Sequence, residues 1–419
     1  MADVQPFRAL RYEPSAVGSL EAVVAPPYDV IDQRERSRLL ERSPFNVVEV
    51  DLPEANGDDP YLHARDTLDA WRQQGVVVRE PEQAMWALQQ DYTSPDGMQR
   101  TRRGFFARVR VEDYGAGRIR PHERTHPGPK EDRLRLTRAT RANLSPIFSL
   151  FPDPDGAGSD ALARATGGEP FATAADADGT RSSLWRVGEP ELISELQGAV
   201  ADAELLIADG HHRYETARIY ADEIGGEGEH RYVLMFLCAL SDPGLTVFPT
   251  HRLLSNLKDP ELQERLGGAL KRDFEIERIR ADELEPPAGD GVRLGYMDSH
   301  FRQPFRLTLK DQSVADEALP GMSEAYRRLD TAVLEALILR GALGMSEDDI
   351  SHLHGLGYSK SLEEARGGVE SGAWDAGFFM RATPVEQVRE VAEAGESMPP
   401  KSTYFYPKVP TGLVFNPLE

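Results

Sequence analysis

The sequence predicts a mixed α/β protein of the α+β class, and three observations carry that reading. Short apolar runs of strand length alternate with charged stretches of helix length along the chain. Ala84 to Tyr92 and Arg103 to Val111 alternate apolar and polar residues and are joined through Ser94-Pro95-Asp96-Gly97, the pattern of an antiparallel hairpin with one wet face. Leu205-Leu206-Ile207-Ala208 reads as a short buried strand, Asp209-Gly210 breaks it, and Tyr214 to about Ile224 has the composition of a helix.

In chain order, Val23 to Ile31 reads as an apolar strand stopped by Pro26-Pro27, followed by a charged helix from about Asp32 to Leu40. Asn46 to Asp51 alternates like a strand, and Pro60 to Gln74 reads as a helix ending at Gly75. After the hairpin comes a dense run, Ile119 to Arg133, which continues as a helix to about Arg141; Leu144 to Phe151 is then a strand. Pro152 to Ser183, rich in Ala, Gly and Asp, reads as a weakly structured excursion with room for one helix near Ala161. Ser182 to Arg186 leads into a strand, and Pro190 to Asp202 is a helix that leads to the Leu205 strand. Beyond the Tyr232 to Leu240 run, helices are expected at Pro260 to Lys271, Tyr326 to Gly341, Leu362 to Ser371 and Pro384 to Ala394. Strands are expected at Gly291 to Met297, Phe305 to Leu309 and Ala376 to Arg381. The expected division is an N-terminal α/β segment over 1–100, a core over 101–255 that includes the flexible excursion 152–183, and a C-terminal α/β domain over 256–419 with a closing motif at 398–414.

Length and charge narrow the function. At 419 residues two or three domains fit. A formal charge of −22 and a pI near 5.0 argue against sequence-independent binding to nucleic acid or to an anionic membrane, so basic groups must be locally concentrated to matter. The single cysteine, Cys238, lies in an apolar run and reads as core. The opening residues lack a signal-peptide pattern and no apolar run approaches a membrane span, so the expected location is the cytoplasm.

Chemistry is expected first at the break after Ala208. A strand, a tight turn and a helix start aim the backbone N–H groups of the first helical turn at one point, and His211, His212 and Arg213 surround that point. Phosphate is the natural guest. Gly210 lets the backbone come close, and Asp209 caps the helix or holds a divalent metal beside the anion. The plain alternative is an Asp-Gly turn with two surface histidines.

His122-Glu123-Arg124-Thr125-His126 matches the zinc-protease pattern H-E-x-x-H, but that chemistry needs a continuous helix, and Pro121 precedes the motif while Pro127-Gly128-Pro129 follows it. Outside that reading, Glu123 among its cationic neighbours could serve as a general base toward a hydroxyl; the alternative is a salt-bridged loop glutamate. Lys130, Arg133, His251, Arg252, Lys401 and Lys408 are further cations expected in loops or at element ends, where phosphate contacts are built, with Thr250-His251-Arg252 the best placed. No Walker-type loop and no G-x-G-x-x-G occurs, which excludes kinases of the common architectures on motif grounds.

Four stretches together resemble the domain-of-unknown-function 1015 (DUF1015) family: Val23-Val24-Ala25-Pro26-Pro27-Tyr28-Asp29-Val30, Pro129-Lys130-Glu131-Asp132-Arg133-Leu134, Asp209 to Ala217, and Met398 to Val414. Within that likeness, the Asp-Gly-His-His-Arg turn is similar to the phosphate-binding motif of the ParB/sulfiredoxin superfamily. The resemblance implies a ParB/sulfiredoxin-like nucleotide-binding core with N-terminal and C-terminal α/β additions. Among that superfamily the chain is most similar to the archaeal ADP-dependent free-serine kinases, which pair the same turn with an upstream glutamate. On that resemblance Glu123, with His122 beside it, would be the base, and Asp209, His211, His212 and Arg213 would handle phosphates and Mg²⁺. This chain departs from those kinases in its greater length. A sulfiredoxin-like activity is disfavoured because His211 occupies the place of that chemistry's cysteine, and a ParB partition role because no basic DNA-binding helices appear.

The expected function is therefore a small-molecule kinase passing phosphate from ADP or ATP, with Mg²⁺, to a metabolite hydroxyl, free L-serine foremost. The alternatives are a non-catalytic nucleotide-binding regulator or scaffold, and a metal-dependent hydrolase. The expected partners are a nucleotide and a small hydroxylated metabolite, with neither nucleic acid nor membrane.

Overall fold

The computed structural model describes residues 2–54, 57, 59–94, 97–115, 117–123 and 127–419. It divides into two compact units: Met1–Pro121 with Thr125–Thr246 and Pro407–Glu419, and His122–Arg124 with Val247–Tyr406. Each is α+β.

The first unit is built on a nine-stranded mixed sheet: β1 (Val4–Gln5), β2 (Met85–Thr93), β3 (Gln99–Arg110), β4 (Ile119–Arg120), β5 (Ile147–Phe151), β6 (Ala172–Ala175), β7 (Arg181–Val187), β8 (Leu205–Asp209) and β9 (Tyr232–Ala239). The order is β4-β8-β5-β9-β3-β2-β7-β6, with β1 added to β3. The β4–β8 and β5–β9 pairs are parallel and the others antiparallel. The helices are α1 (Gln33–Arg42), α2 (Pro60–Gln73), α3 (Pro127–Thr140), α4 (Ala157–Ala165), α5 (Pro190–Val200) and α6 (His211–Ile224).

The expected hairpin is present as β2 and β3, in register from Trp86 opposite Phe106 to Thr93 opposite Gln99; the turn residues Pro95 and Asp96 lie outside the described residues. Its expected wet face is not. Met85, Ala87, Phe105 and Ala107 enter the main core on one side, while Trp86, Phe106 and even Arg102 are buried on the other. Alternation marked two covered faces of unlike polarity rather than an inside and an outside.

Two expected strands are helical instead. Val23 to Ile31 breaks into a helical turn, Leu20–Val23, and a 3-10 turn, Tyr28–Val30, joined by an isolated bridge from Ala25 to Thr411. Asn46 to Asp51 forms the helical turn Val48–Asp51. One buried side chain explains both changes. The Asn46 amide donates to the carbonyls of Ala22 and Val24 at 2.9 and 3.1 Å, while its oxygen accepts from Val48 N at 3.1 Å. These backbone groups are satisfied without a sheet neighbour. The stretch 152–183 is likewise ordered: it holds α4, β6 and the start of β7, and Asp153 receives the N–H groups of Gly158 and Ser159 at 3.0 and 2.9 Å to start α4.

The second unit carries a six-stranded, wholly antiparallel sheet: β10 (His251–Leu254), β11 (Phe274–Arg278), β12 (Arg293–Asp298), β13 (Phe305–Leu309), β14 (Leu356–Ser359) and β15 (Ala376–Phe379), in the order β11-β13-β12-β15-β10-β14. Helices α7 (Pro260–Asp273), α8 (Leu362–Glu370) and α9 (Val385–Glu393) accompany it, and the expected helix up to Gly341 is realised as short turns leading into a π-helical Leu334–Ala342. Leu266, Leu270, Leu294, Leu307, Ile338 and Phe378 lie in its main core. Among the described residues no helix is long and apolar enough to cross a membrane. Cys238 is buried on β9.

Candidate functional site

The junction after Ala208 has the geometry its residues require. Strand β8 ends at Asp209, and its pairing with β5 shifts between Ile207 and Asp209, a bulge that turns the strand end away from the ladder. Gly210 follows in the left-handed region at φ 97°, ψ 30°, and α6 starts at His211 with no side-chain cap. Tyr214, Thr216 and Ala217 bury one side of the helix, and the Tyr214 hydroxyl bonds Glu112 O at 2.9 Å. The positive end of the helix is thus fixed at the strand end.

Asp209 organises the charges there. Its Oδ2 accepts from Arg213 Nη2 and its Oδ1 from Lys408 Nζ, both at 2.9 Å. Burial alone would raise the proton affinity of this carboxyl, but Lys408 and Arg213, with His211 behind them, outweigh it and hold Asp209 well below the usual aspartate range. Arg213 also donates through Nη1 to Pro146 O. Its guanidinium lies so close to Gly210 that a Cβ there would meet Nε and Cζ at 3.0 Å. His211 is 4% exposed and His212 half-buried, so the plain alternative of two surface histidines does not hold.

Beside Arg213 lies a second layer, in which the expected cation Arg133 meets Tyr28, Asp51 and Ser145, residues not expected at a site. The Arg133 guanidinium stacks over the Tyr28 ring at 4.0 Å and donates to Asp51 O at 2.6 Å, and Ser145 Oγ donates to Asp51 Oδ2 at 2.8 Å. Burial pushes the Asp51 carboxyl up, against Arg133. A cavity of about 40 Å³ is lined by Asp51, Arg133, Ser145, Arg213 and Thr216 among others, room for a water or two. Burial would lower the proton affinity of Arg213, but charges on Asp209, Asp29 and Asp51 more than offset it and raise that affinity. Tyr28, Arg133, Asp209 to Arg213 and Lys408, which come from the four motif stretches, therefore meet within one unit. The available signal was those motifs themselves; their convergence needs the fold.

The other expected site residues fall elsewhere. Lys130 is half-buried in the first turn of α3, where its carbonyl accepts from Thr216 Oγ1 at 3.4 Å. His122 and Glu123 belong to the second unit. His122 is buried, its Nε2 2.9 Å from Thr403 Oγ1 and its ring edge-on to Phe405. Glu123 is half-buried and forms a parallel bridge with Met398. Extended backbone at Glu123 does not fit the zinc-binding helix; Arg124, Thr125 and His126 lie outside the described residues.

His251 and Arg252, expected near a loop, form part of β10 and are 0% and 3% exposed. His251 Nδ1 accepts from Met380 N at 3.1 Å, and Arg252 donates to the carbonyls of Thr250, Pro400 and Lys401. Both are bound up in the interior of their own unit, which corrects the expectation of phosphate-contacting loop cations. The metal role of Asp209 is also corrected: each of its oxygens faces a cation, a poor setting for Mg²⁺. Among the described residues no three His, Cys, Asp or Glu side chains gather as a metal site.

Fold and junction together define an α+β chain whose strand–turn–helix corner is ringed by opposed charges. The chain matches the family described as "Protein of unknown function (DUF1015)" over residues 4–332 and belongs to that family. No curated protein matches it. Among solved structures it is similar to a free serine kinase in complex with AMP, at 16% identity and TM-score 0.37, over 74% of this chain and 92% of that one. It is also similar to a conserved hypothetical protein from Pyrococcus furiosus, at 16% identity and TM-score 0.36, over 74% and 95% of the two chains. A third likeness is to SbnI with a C-terminal truncation from Staphylococcus aureus, at 11% identity and TM-score 0.38, over 73% and 85%.

Proposed function

We propose that the chain binds a nucleotide by its phosphates at the Asp209–Arg213 corner and passes one phosphoryl group to the hydroxyl of a small metabolite, free L-serine foremost. The observation that carries this reading is the corner itself: a left-handed Gly210, an uncapped start of α6 and a guanidinium locked beside it. Backbone N–H groups of the first helical turn would face the phosphate oxygens, with His211 and His212 supplying further donors. Asp209 positions Arg213 rather than reacting. In the transfer a bond forms between the acceptor oxygen and phosphorus, the bond to the leaving phosphate oxygen of ADP or ATP breaks, and the hydroxyl proton passes to a carboxylate. On the resemblance to the free-serine kinases that proton would pass to Glu123, with His122 as its neighbour.

The test is direct. Purified protein given Mg²⁺, ADP or ATP, and serine beside a panel of small alcohols is followed by phosphorus NMR. A phosphorylated product supports the reading, and Glu123→Gln should abolish turnover while nucleotide affinity persists. No product with any acceptor would remove the kinase claim. One observation favours a second reading: Arg213 is engaged by both Asp209 and Pro146, as suits a corner that only binds. A non-catalytic nucleotide sensor would bind ADP or ATP without turnover.

A further inference from the structure

We infer that Lys408 is a phosphate-binding residue of the Asp209–Arg213 corner, carried there by a C-terminal segment whose main chain is held by buried Arg102 and by Gln90. The inference rests on the corner being a nucleotide site and names a contact the motif itself does not contain.

Pro407–Glu419 belongs to the first unit although the second unit's chain intervenes before it. Its attachment is built, not incidental. Arg102 Nη2 donates to Pro407 O at 2.6 Å and Gln90 Nε2 to Lys408 O at 3.1 Å. Further along, Thr411 exchanges two backbone bonds with Ala25, and Phe415 exchanges two with Leu10. Arg102 and Gln90 face each other across β3 and β2, so the sheet itself sets where Lys408 stands. From that anchor the side chain reaches Asp209 Oδ1 at 2.9 Å and remains 15% exposed.

Arg102 is an unusual anchor. It is 0% exposed, its guanidinium lies over Phe148 at 4.6 Å and Phe236 at 5.5 Å, and Nε and Nη1 have no hydrogen-bond partner among the described residues. Its two bonded acceptors, the Gln90 amide oxygen and Pro407 O, are neutral. A leucine or methionine would fill the same space without the penalty of a buried charge. Arg102 instead clamps the carbonyl next to Lys408 and adds its own charge to the same side of the sheet.

Charge counting at the corner then favours an anionic guest. Arg213 and Lys408 bring two positive charges, Asp209 returns one negative, and the start of α6 adds roughly half a positive charge. Among these directly bonded groups the sum is positive by about one and a half charges; Asp29 and Asp51, which act on Arg213 from farther out, lower it by two and Arg133 beside Asp51 restores one, so the corner stays weakly positive before Arg102 is counted. Asp209 therefore does not cancel the corner; it holds two cations at a fixed spacing. A phosphate carrying two negative charges matches that balance, and a compact ammonium suits it as a point-charge contact.

Calorimetric titration of the full chain with ADP, and with inorganic pyrophosphate as the phosphate-only probe, tests this. Lys408→Met should weaken both ligands tenfold or more, and Lys408→Arg should restore most of the affinity. Gln90→Leu should weaken them less, and should add little in the Lys408→Met background, because it acts through Lys408; a merely structural role would add its effect independently. If wild type binds ADP and Lys408→Met binds it equally well, the inference is overturned while the nucleotide reading survives. If wild type binds neither ligand, the nucleotide reading itself fails, and this inference falls with it.

Discussion

His251 shows what a histidine does when the fold gives it no water. Burial, reinforced by the adjacent Arg252 charge, brings its pKa from 6.5 down to about 4. It is therefore neutral in the native protein, with Nδ1 as acceptor for Met380 N. The sign follows from the two states. Above pH 6.5 both folded and unfolded chains carry a neutral ring and the residue adds no pH dependence; as pH falls from 6.5 toward 4 only the unfolded chain takes up a proton, and the fold loses stability. The full loss is about 3 kcal/mol. His251→Asn keeps an acceptor in the Nδ1 position, and urea unfolding across that pH window should show a flatter profile for the variant. An unchanged slope would mean His251 is protonated in the fold. Asp209 has the same sign in a lower window: burial opposes it, but Lys408 and Arg213 hold the carboxyl low, so its pairing stabilises above the ordinary aspartate range and is lost as pH falls below it.

At the level of elements, β8 and α6 were legible because their determinants are contiguous: four apolar residues, a breaker and a helix-forming run. Helices α2 and α7 were legible for a similar reason, since Asp59-Pro60 and Asp259-Pro260 place a capping carboxylate before a proline that suits the first turn. The helical turn at Leu20–Val23 was hidden because Asn46 satisfies carbonyls more than twenty residues away, and the turn at Val48–Asp51 because the same side chain also takes the N–H of Val48. Order in the stretch 152–183 was hidden because its composition is that of a linker while Asp153 supplies the cap. In the candidate site the consecutive corner was readable; the stacking of Arg133 on Tyr28 and the arrival of Lys408 depend on contacts between distant segments, which periodicity cannot show. Gly210 ties this element to the site. Its φ of 97° and the 3.0 Å approach of Arg213 to a would-be Cβ leave no room for alanine. Gly210→Ala should lower stability by about 1–3 kcal/mol in denaturant titration and displace Arg213. An unaltered midpoint would show that the corner is slack.

The whole molecule carries −22 charges, yet the corner is locally positive. That contrast limits the kind of guest. A long polyanion would meet repulsion across most of the surface, whereas a small phosphate compound engages only the few groups around Asp209. Each unit has its own sheet and core, and Asp209, Arg213 and Lys408 all belong to the first. The most direct measurement is calorimetric titration of ADP into the full-length chain and into an Arg213→Ala variant verified as folded by circular dichroism. Saturable binding by the wild type, weakened at least tenfold in the variant, is the predicted result; equal affinity in the two proteins, or no binding by the wild type, would contradict the account.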